Sequence, residues 1–188
     1  MAGWIHWIVL LCGVFIASTE KIKESAGKRI QYFSTEHPRI CEFDSKIFVS
    51  GNLTSRRHSR MDPFYYVDFH VSTRVPIGNN VTVHFYFYEF LTNVYKRGFI
   101  EMHMGVCDLI FKDKFFGAGM KKQLKVLSCP FPKGEYHLYN MTIPLEQIPR
   151  GFPFTKGRIY SNITLTNTGK QIASGYIDIE LKTTRISN

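Results

Sequence analysis

From residue 64 to residue 75 the chain alternates without a break. Tyr65, Val67, Phe69 and Val71 share one parity, and Tyr66, Asp68, His70 and Ser72 share the other. Apolar positions recurring every second residue predict a half-buried β-strand, because successive side chains leave a strand on opposite faces. Residues 81–90 repeat the pattern, with Val81, Val83, Phe85 and Phe87 set against Thr82, His84, Tyr86 and Tyr88. The intervening Pro76-Ile77-Gly78-Asn79-Asn80 is made of turn formers, so these two strands read as a hairpin. A second hairpin is expected near the end of the chain. There Ile159, Ser161, Ile163 and Leu165 alternate with polar residues, Asn167-Thr168-Gly169-Lys170 forms the turn, and Ile177, Ile179 and Leu181 alternate with Asp178, Glu180 and Lys182. Residues 40–49 read as one more strand, with Phe43, Ile47 and Val49 on one parity. Short strands with one apolar face and little helix predict an all-β fold, an antiparallel two-sheet sandwich.

The remaining stretches are organised by prolines, glycines and charge. In Ser128-Cys129-Pro130-Phe131-Pro132-Lys133-Gly134-Glu135-Tyr136-His137-Leu138-Tyr139 the prolines impose extended chain, Gly134 permits a turn, and Tyr136 and Leu138 share one strand face. Residues 92–125 are expected to be irregular, with one or two helical turns at 106–111 and a short basic helix at 120–126. Pro144, Pro149 and Pro153 mark a non-helical connection. Residues 51–62, with Arg56, Arg57, His58 and Arg60, read as a solvated loop or, more sharply, as a contact for anionic head groups.

The amino terminus bears on location. Residues 4–16 are apolar apart from His6 and Gly13, too short to span a bilayer, and lead to Ala17-Ser18-Thr19 before charge begins at Glu20 and Lys21. This is the layout of a secretory signal cut near Ser18; an uncleaved anchor or a buried strand is the competing reading. The expected organisation is a signal over 1–18, a lead-in or short first strand over 19–39, and one domain over 40–188, with the mature protein secreted and extracellular. Four acceptor triplets, at Asn52, Asn80, Asn140 and Asn162, fit a glycoprotein, with Asn52 and Asn80 placed at turns. The formal charge of +9 falls entirely after residue 18, which favours anionic lipid or glycan surfaces; an exported chain rarely meets nucleic acid.

With Cys12 assigned to the signal, Cys41, Cys107 and Cys129 allow three single pairings. Cys107 with Cys129 closes the shortest loop, worth about 3 kcal/mol on the chain-entropy account, and leaves Cys41 over. His103 precedes Cys107 by four residues, but two ligands make no metal site, and no metal or cofactor is expected. The sequence lacks a G-x-S-x-G elbow, a P-loop, an H-E-x-x-H helix and a dinucleotide-binding glycine pattern, and Asp108, Asp113, Glu135 and Glu146 suggest no acid–base couple. Gly117-Ala118-Gly119 reads as a flexible loop rather than an anion nest. A non-enzymatic protein is therefore expected. Aromatic residues make up 15% of the chain, enough either to pack a sandwich closely or to line an apolar cavity.

The stretches Asn93-Val94-Tyr95-Lys96, Gly105-Val106-Cys107-Asp108-Leu109, Cys129-Pro130-Phe131-Pro132-Lys133-Gly134-Glu135-Tyr136 and Ile148-Pro149-Arg150-Gly151-Phe152, with Gly169-Lys170-Gln171-Ile172 after them, resemble a known group. That group is the insect secreted chemosensory proteins called CheA and CheB, themselves similar to the ganglioside activator protein and, more loosely, to ML lipid-recognition domains. The resemblance spans about residues 40–182 and implies a β-cup, a sandwich open around a lipid-sized cavity. It further implies a non-enzymatic binder or carrier of a small hydrophobic ligand, a lipid or contact pheromone, in chemosensory perception. The alternatives are an accessory protein acting by contact with a receptor or channel, and an activator of a glycolipid hydrolase. A cysteine expected near Ser174-Gly175, to pair with one like Cys41, is missing here. On this reading Phe69, Val71, Phe85, Phe87, Ile163, Ile177 and Ile179 line the cavity, and Phe115, Phe116, Met120, Phe152 and Phe154 form a rim able to meet a membrane.

Overall fold

Val83 pairs with Ile163 on one side and Met104 on the other, while Phe69 pairs with Leu53 and Leu138. These two ladders belong to different sheets of an all-β fold. The computed structural model describes residues 28–114, 116–124, 128–143 and 155–186. Gln31–Lys182 forms one compact unit, and residues 28–30 and 183–186 belong to a second.

The described strands are β1 (Lys28–Phe43), β2 (Phe48–Arg56), β3 (Tyr66–Thr73), β4 (Val81–Leu91), β5 (Val94–Gly105), β6 (Gly134–Met141), β7 (Lys156–Leu165) and β8 (Gln171–Ile186). Two short helices, α1 (Val106–Lys112) and α2 (Gly117–Gln123), lie between β5 and β6. Five strands form one sheet in the order β1-β8-β7-β4-β5, and three form the other in the order β2-β3-β6. The β7–β8 hairpin turns at Gly169, whose φ of +68° is open to glycine without strain. One helix was foreseen at 106–111; the second starts at Gly117, three residues ahead of the expected 120–126.

Several expected elements are corrected. β3 and β4 do not form a hairpin: β3 pairs with β2 and β6, β4 with β5 and β7, and the turn between them carries the chain from one sheet to the other. Within that turn Ile77 makes an antiparallel bridge to Phe131, and Asn80 Oδ1 accepts the Gly78 amide at 2.7 Å. The continuous strand expected over residues 40–49 is interrupted: β1 ends at Phe43, Asp44 turns the chain by accepting the Lys46 amide, and β2 starts at Phe48. β1 itself begins at Lys28, inside the stretch read as a lead-in or short first strand. β2 runs through Arg56, so Gly51 and Asn52 are strand rather than turn residues and the basic loop starts later. Residues 94–105, expected to be irregular, form the twelve-residue edge strand β5. Its hairpin with β4 turns through Thr92 (φ +48°) and Asn93 (φ +64°), the two positive values that a tight twisted hairpin requires.

Candidate functional site

The apolar faces of the two sheets do not make a single core. One cluster of buried residues, Phe48, Val81, Ile172 and Ala173, draws on β2, β4 and β8 and is joined by Val71 of β3. At this end both sheets pack on each other. The other cluster, Phe33, Phe87, Ile159 and Ile179, is joined by Phe85, Ile100, Met102, Ile177 and Leu181. Every strand residue in it belongs to the five-stranded sheet; its other members, Phe116 and Ile143, come from connections. On the facing parity of the three-stranded sheet Leu53 and Phe69 are half-buried while Val67 and Leu138 are buried, and none of the four belongs to either cluster. Folded domains usually gather one contiguous core. Here the apolar residues divide between two clusters, and at the second the sheets are tied by the Ser55 hydroxyl of β2, which donates to the Thr35 carbonyl of β1.

The joined end is held by a crosslink. Cys107 and Cys129 form a disulfide, with Cα atoms 5.9 Å apart, and Cys41 is a free, exposed thiol. Around the disulfide the chain passes itself closely: a Cβ on Gly78 would lie 2.9 Å from the Pro130 Cβ and 3.3 Å from the Cys107 Sγ. Asn79 Oδ1 accepts the Cys107 amide at 3.0 Å, so the turn between the sheets takes up an amide in the first turn of α1. A surface hollow of about 430 Å³ lies here, bordered by Pro76, Asn79, Cys107 and Pro130.

The helices carry one aromatic ring onto the inner wall. Asp113 Oδ2 accepts the amides of Phe116 (2.5 Å) and Gly117 (2.9 Å), fixing the link between α1 and α2. Phe116 thereby stacks on Phe85 with ring centroids 4.7 Å apart and planes 29° apart.

Of the lining foreseen in the sequence, the inner wall brings together Phe85, Phe87, Phe116, Ile177 and Ile179. Val71 and Ile163 fall in the joined-end cluster, Phe69 stands on the facing sheet, and Met120 is half-buried on α2. Phe115, Phe152 and Phe154 lie outside the described residues. Sequence reasoning missed Phe33, Ile100, Met102, Ile143 and Leu181. Ile100, Met102 and Met104 do alternate, which could have revealed the wall face of β5.

The outer faces are polar. On the five-stranded sheet Asp178 accepts bonds from Arg158 Nε (2.6 Å) and Nη2 (3.2 Å), with the guanidinium carbon 3.9 Å from the Tyr176 ring centroid and 4.1 Å from that of Tyr95. Burial works against the Arg158 charge, yet the bonds to Asp178 and Tyr160 raise its pKa above the ordinary value. On the three-stranded sheet Asp68 is buried; desolvation alone would raise its pKa, but the Asn140 amide and Arg56 hold it below the usual carboxylate range. Each outer face carries a cross-strand histidine pair, His84 with His103 and His70 with His137, each with Nδ1 atoms 2.8 Å apart. The acceptor asparagines lie off the wall: Asn52, Asn80 and Asn140 are exposed, and Asn162 is half-buried beside His84 and Ser174.

No family model matches the sequence, and no curated protein is similar to it. Among solved structures, chicken MD-1 complexed with lipid IVa is similar in fold, with 11% sequence identity and a TM-score of 0.39 over 82% of this chain and 97% of that one. A likeness of that degree carries no argument about what this chain binds.

Proposed function

We propose that this protein is a secreted, non-enzymatic carrier of a small hydrophobic ligand, held between the two sheets at the end where they share no core. One observation carries the reading: the inner-wall cluster takes its strand residues from the five-stranded sheet alone, with Leu53, Val67, Phe69 and Leu138 forming a separate apolar face on the sheet opposite. Apolar side chains on two facing walls favour an apolar guest, at about 0.8 kcal/mol for each methylene taken from water. The disulfide end anchors the sheets, so the walls are preformed and the guest need not order them. Export is supported by the apolar amino-terminal stretch, the disulfide and the four acceptor triplets. A contact cue carried in chemosensation is the finer form of the reading, and it rests on the sequence resemblance to the CheA and CheB proteins.

The test is to express the full chain in secreting eukaryotic cells, extract the purified protein with organic solvent, and analyse the extract by mass spectrometry. A co-purifying lipid, or saturable uptake of a fluorescent fatty acid that Phe85→Arg abolishes, is expected. An empty extract together with no uptake removes the carrier reading and leaves action by protein contact.

A further inference from the structure

His84 of β4 stands directly opposite His103 of β5, and His70 of β3 directly opposite His137 of β6. In each pair the two Nδ1 atoms face each other 2.8 Å apart. Two neutral imidazoles reach that distance when one donates its proton to the other, so both Nδ1 atoms are aimed into the same space. The pairs lie on different sheets, yet both join an edge strand to its neighbour, β5 to β4 and β6 to β3. The edge members are open to water, with the His103 side chain 42% and the His137 side chain 41% exposed.

The far nitrogens are provided for as well. His103 Nε2 lies 3.3 Å from Glu101 Oε1, and His137 Nε2 lies 3.7 Å from Glu135 Oε2. In both cases the carboxylate stands two residues earlier on the same strand face. A carboxylate behind an imidazole fixes the tautomer whose other nitrogen is free to ligate. His84 Nε2 is 2.9 Å from Thr164 Oγ1, a hydroxyl able to donate or accept. The His84 proton therefore has two places, on Nδ1 towards His103 or on Nε2 towards Thr164. The second leaves both Nδ1 lone pairs available to a cation, with no proton gained or lost. The sequence offers His103 no nearer imidazole or thiol than Cys107, which the disulfide consumes; the sheet register supplies His84 instead.

We propose that each histidine pair chelates a divalent transition-metal ion through its two Nδ1 atoms, with water completing the coordination, and that the ion favoured is Cu(II). Among the described residues no three side chains of His, Cys, Asp and Glu converge as metal ligands, so each site is a two-imidazole one. The spacing decides the metal. Metal–nitrogen bonds of about 2.0 Å put neighbouring ligands of a square plane about 2.8 Å apart, whereas a tetrahedral ion such as Zn(II) needs about 3.3 Å. Cu(II) takes the tetragonal geometry and stands highest in the affinity order of the divalent ions. Bound there, it clips the edge strands β5 and β6 to their sheets. Both sites are on outer faces and are independent of any guest held between the sheets.

The experiment titrates Cu(II) and Zn(II) into the full-length protein, purified without a histidine tag, by isothermal titration calorimetry, with electron paramagnetic resonance reading the copper ligands. Wild type is expected to take up one Cu(II) at each pair with imidazole nitrogen hyperfine splitting, and to bind Zn(II) more weakly. His103→Gln and His137→Gln should each lose one ion, and the double variant both. Glu101→Gln keeps both imidazoles and should weaken its site about tenfold. Copper should raise the melting temperature of wild type and leave that of the double variant unmoved. Should either single variant fail to fold, His84→Gln or His70→Gln removes the opposite ligand of the same site. A copper count that neither single variant lowers, Zn(II) bound as tightly as Cu(II), or no copper uptake by wild type would each overturn the assignment.

Discussion

The ring of Phe116 lies 4.7 Å from that of Phe85, stacked on it from a loop that Asp113 ties down through two backbone amides. Asp113→Ala would remove both acceptors at once. The expected result is a loss of about 1–2 kcal/mol in urea unfolding, together with weaker uptake of a fluorescent fatty acid because Phe116 no longer holds its place on the wall. Unchanged stability and uptake would mean that the loop keeps its position without Asp113.

The disulfide joins residues 22 apart in sequence, Cys107 and Cys129. Replacing both by serine frees that loop in the unfolded chain, and the expected loss is about 3 kcal/mol. Guanidinium unfolding of the double variant, beside the wild type with and without reductant, checks it. Reductant should bring the wild type to the level of the variant and leave the variant unmoved.

A Cβ on Gly175 would lie 2.7 Å from the Arg39 carbonyl oxygen. That atom is backbone of β1, so it cannot swing aside as the end of a side chain could. Gly175→Ala should therefore push β1 from β8 and lose about 2 kcal/mol. The same contact explains why the cysteine looked for near Ser174-Gly175 does not fit at Gly175. A melting temperature equal to the wild type's would show that β1 gives way freely.

His84 titrates below the ordinary histidine value of 6.5, first because it is partly buried and second because His103 faces it. The unfolded chain therefore takes up a proton at higher pH than the folded one. The contribution of His84 to stability is complete above pH 6.5 and is lost as pH falls through the lower folded value. Unfolding curves at pH 7.5 and 5.0 should differ less in His84→Gln than in the wild type. An identical difference in both proteins would assign the acid sensitivity to other groups.

Much of the sheet structure was legible because a period of two is a local property. Val81, Val83 and Phe87 are buried, as is Ile179, all on the parity read as apolar. Leu138 is buried on the same strand face as Tyr136, and Cys129 does find Cys107. β5 was not legible: it is an edge strand with Lys96, Arg97, Glu101 and His103 along it, and Phe99 is 86% exposed, so its apolar residues do not all mark one face.

The order of residues along the chain determined which segments extend, which faces of those strands are apolar, and where turns fall, because each depends on neighbours two to five positions away. It could not determine partners. The segment around Pro76 looks like a hairpin turn whether the next strand folds back or crosses to the other sheet, and only the packing of Val81 with Phe48 and Ile172 decided for the crossing. By the same token Phe69 and Phe85 are one residue type in one pattern, yet one lies between Leu53 and Leu138 on the facing sheet and the other carries the Phe116 ring. Which apolar faces meet, and which are left to take a guest, depends on burial shared between residues distant in sequence, and that exists only once the sheets have assembled.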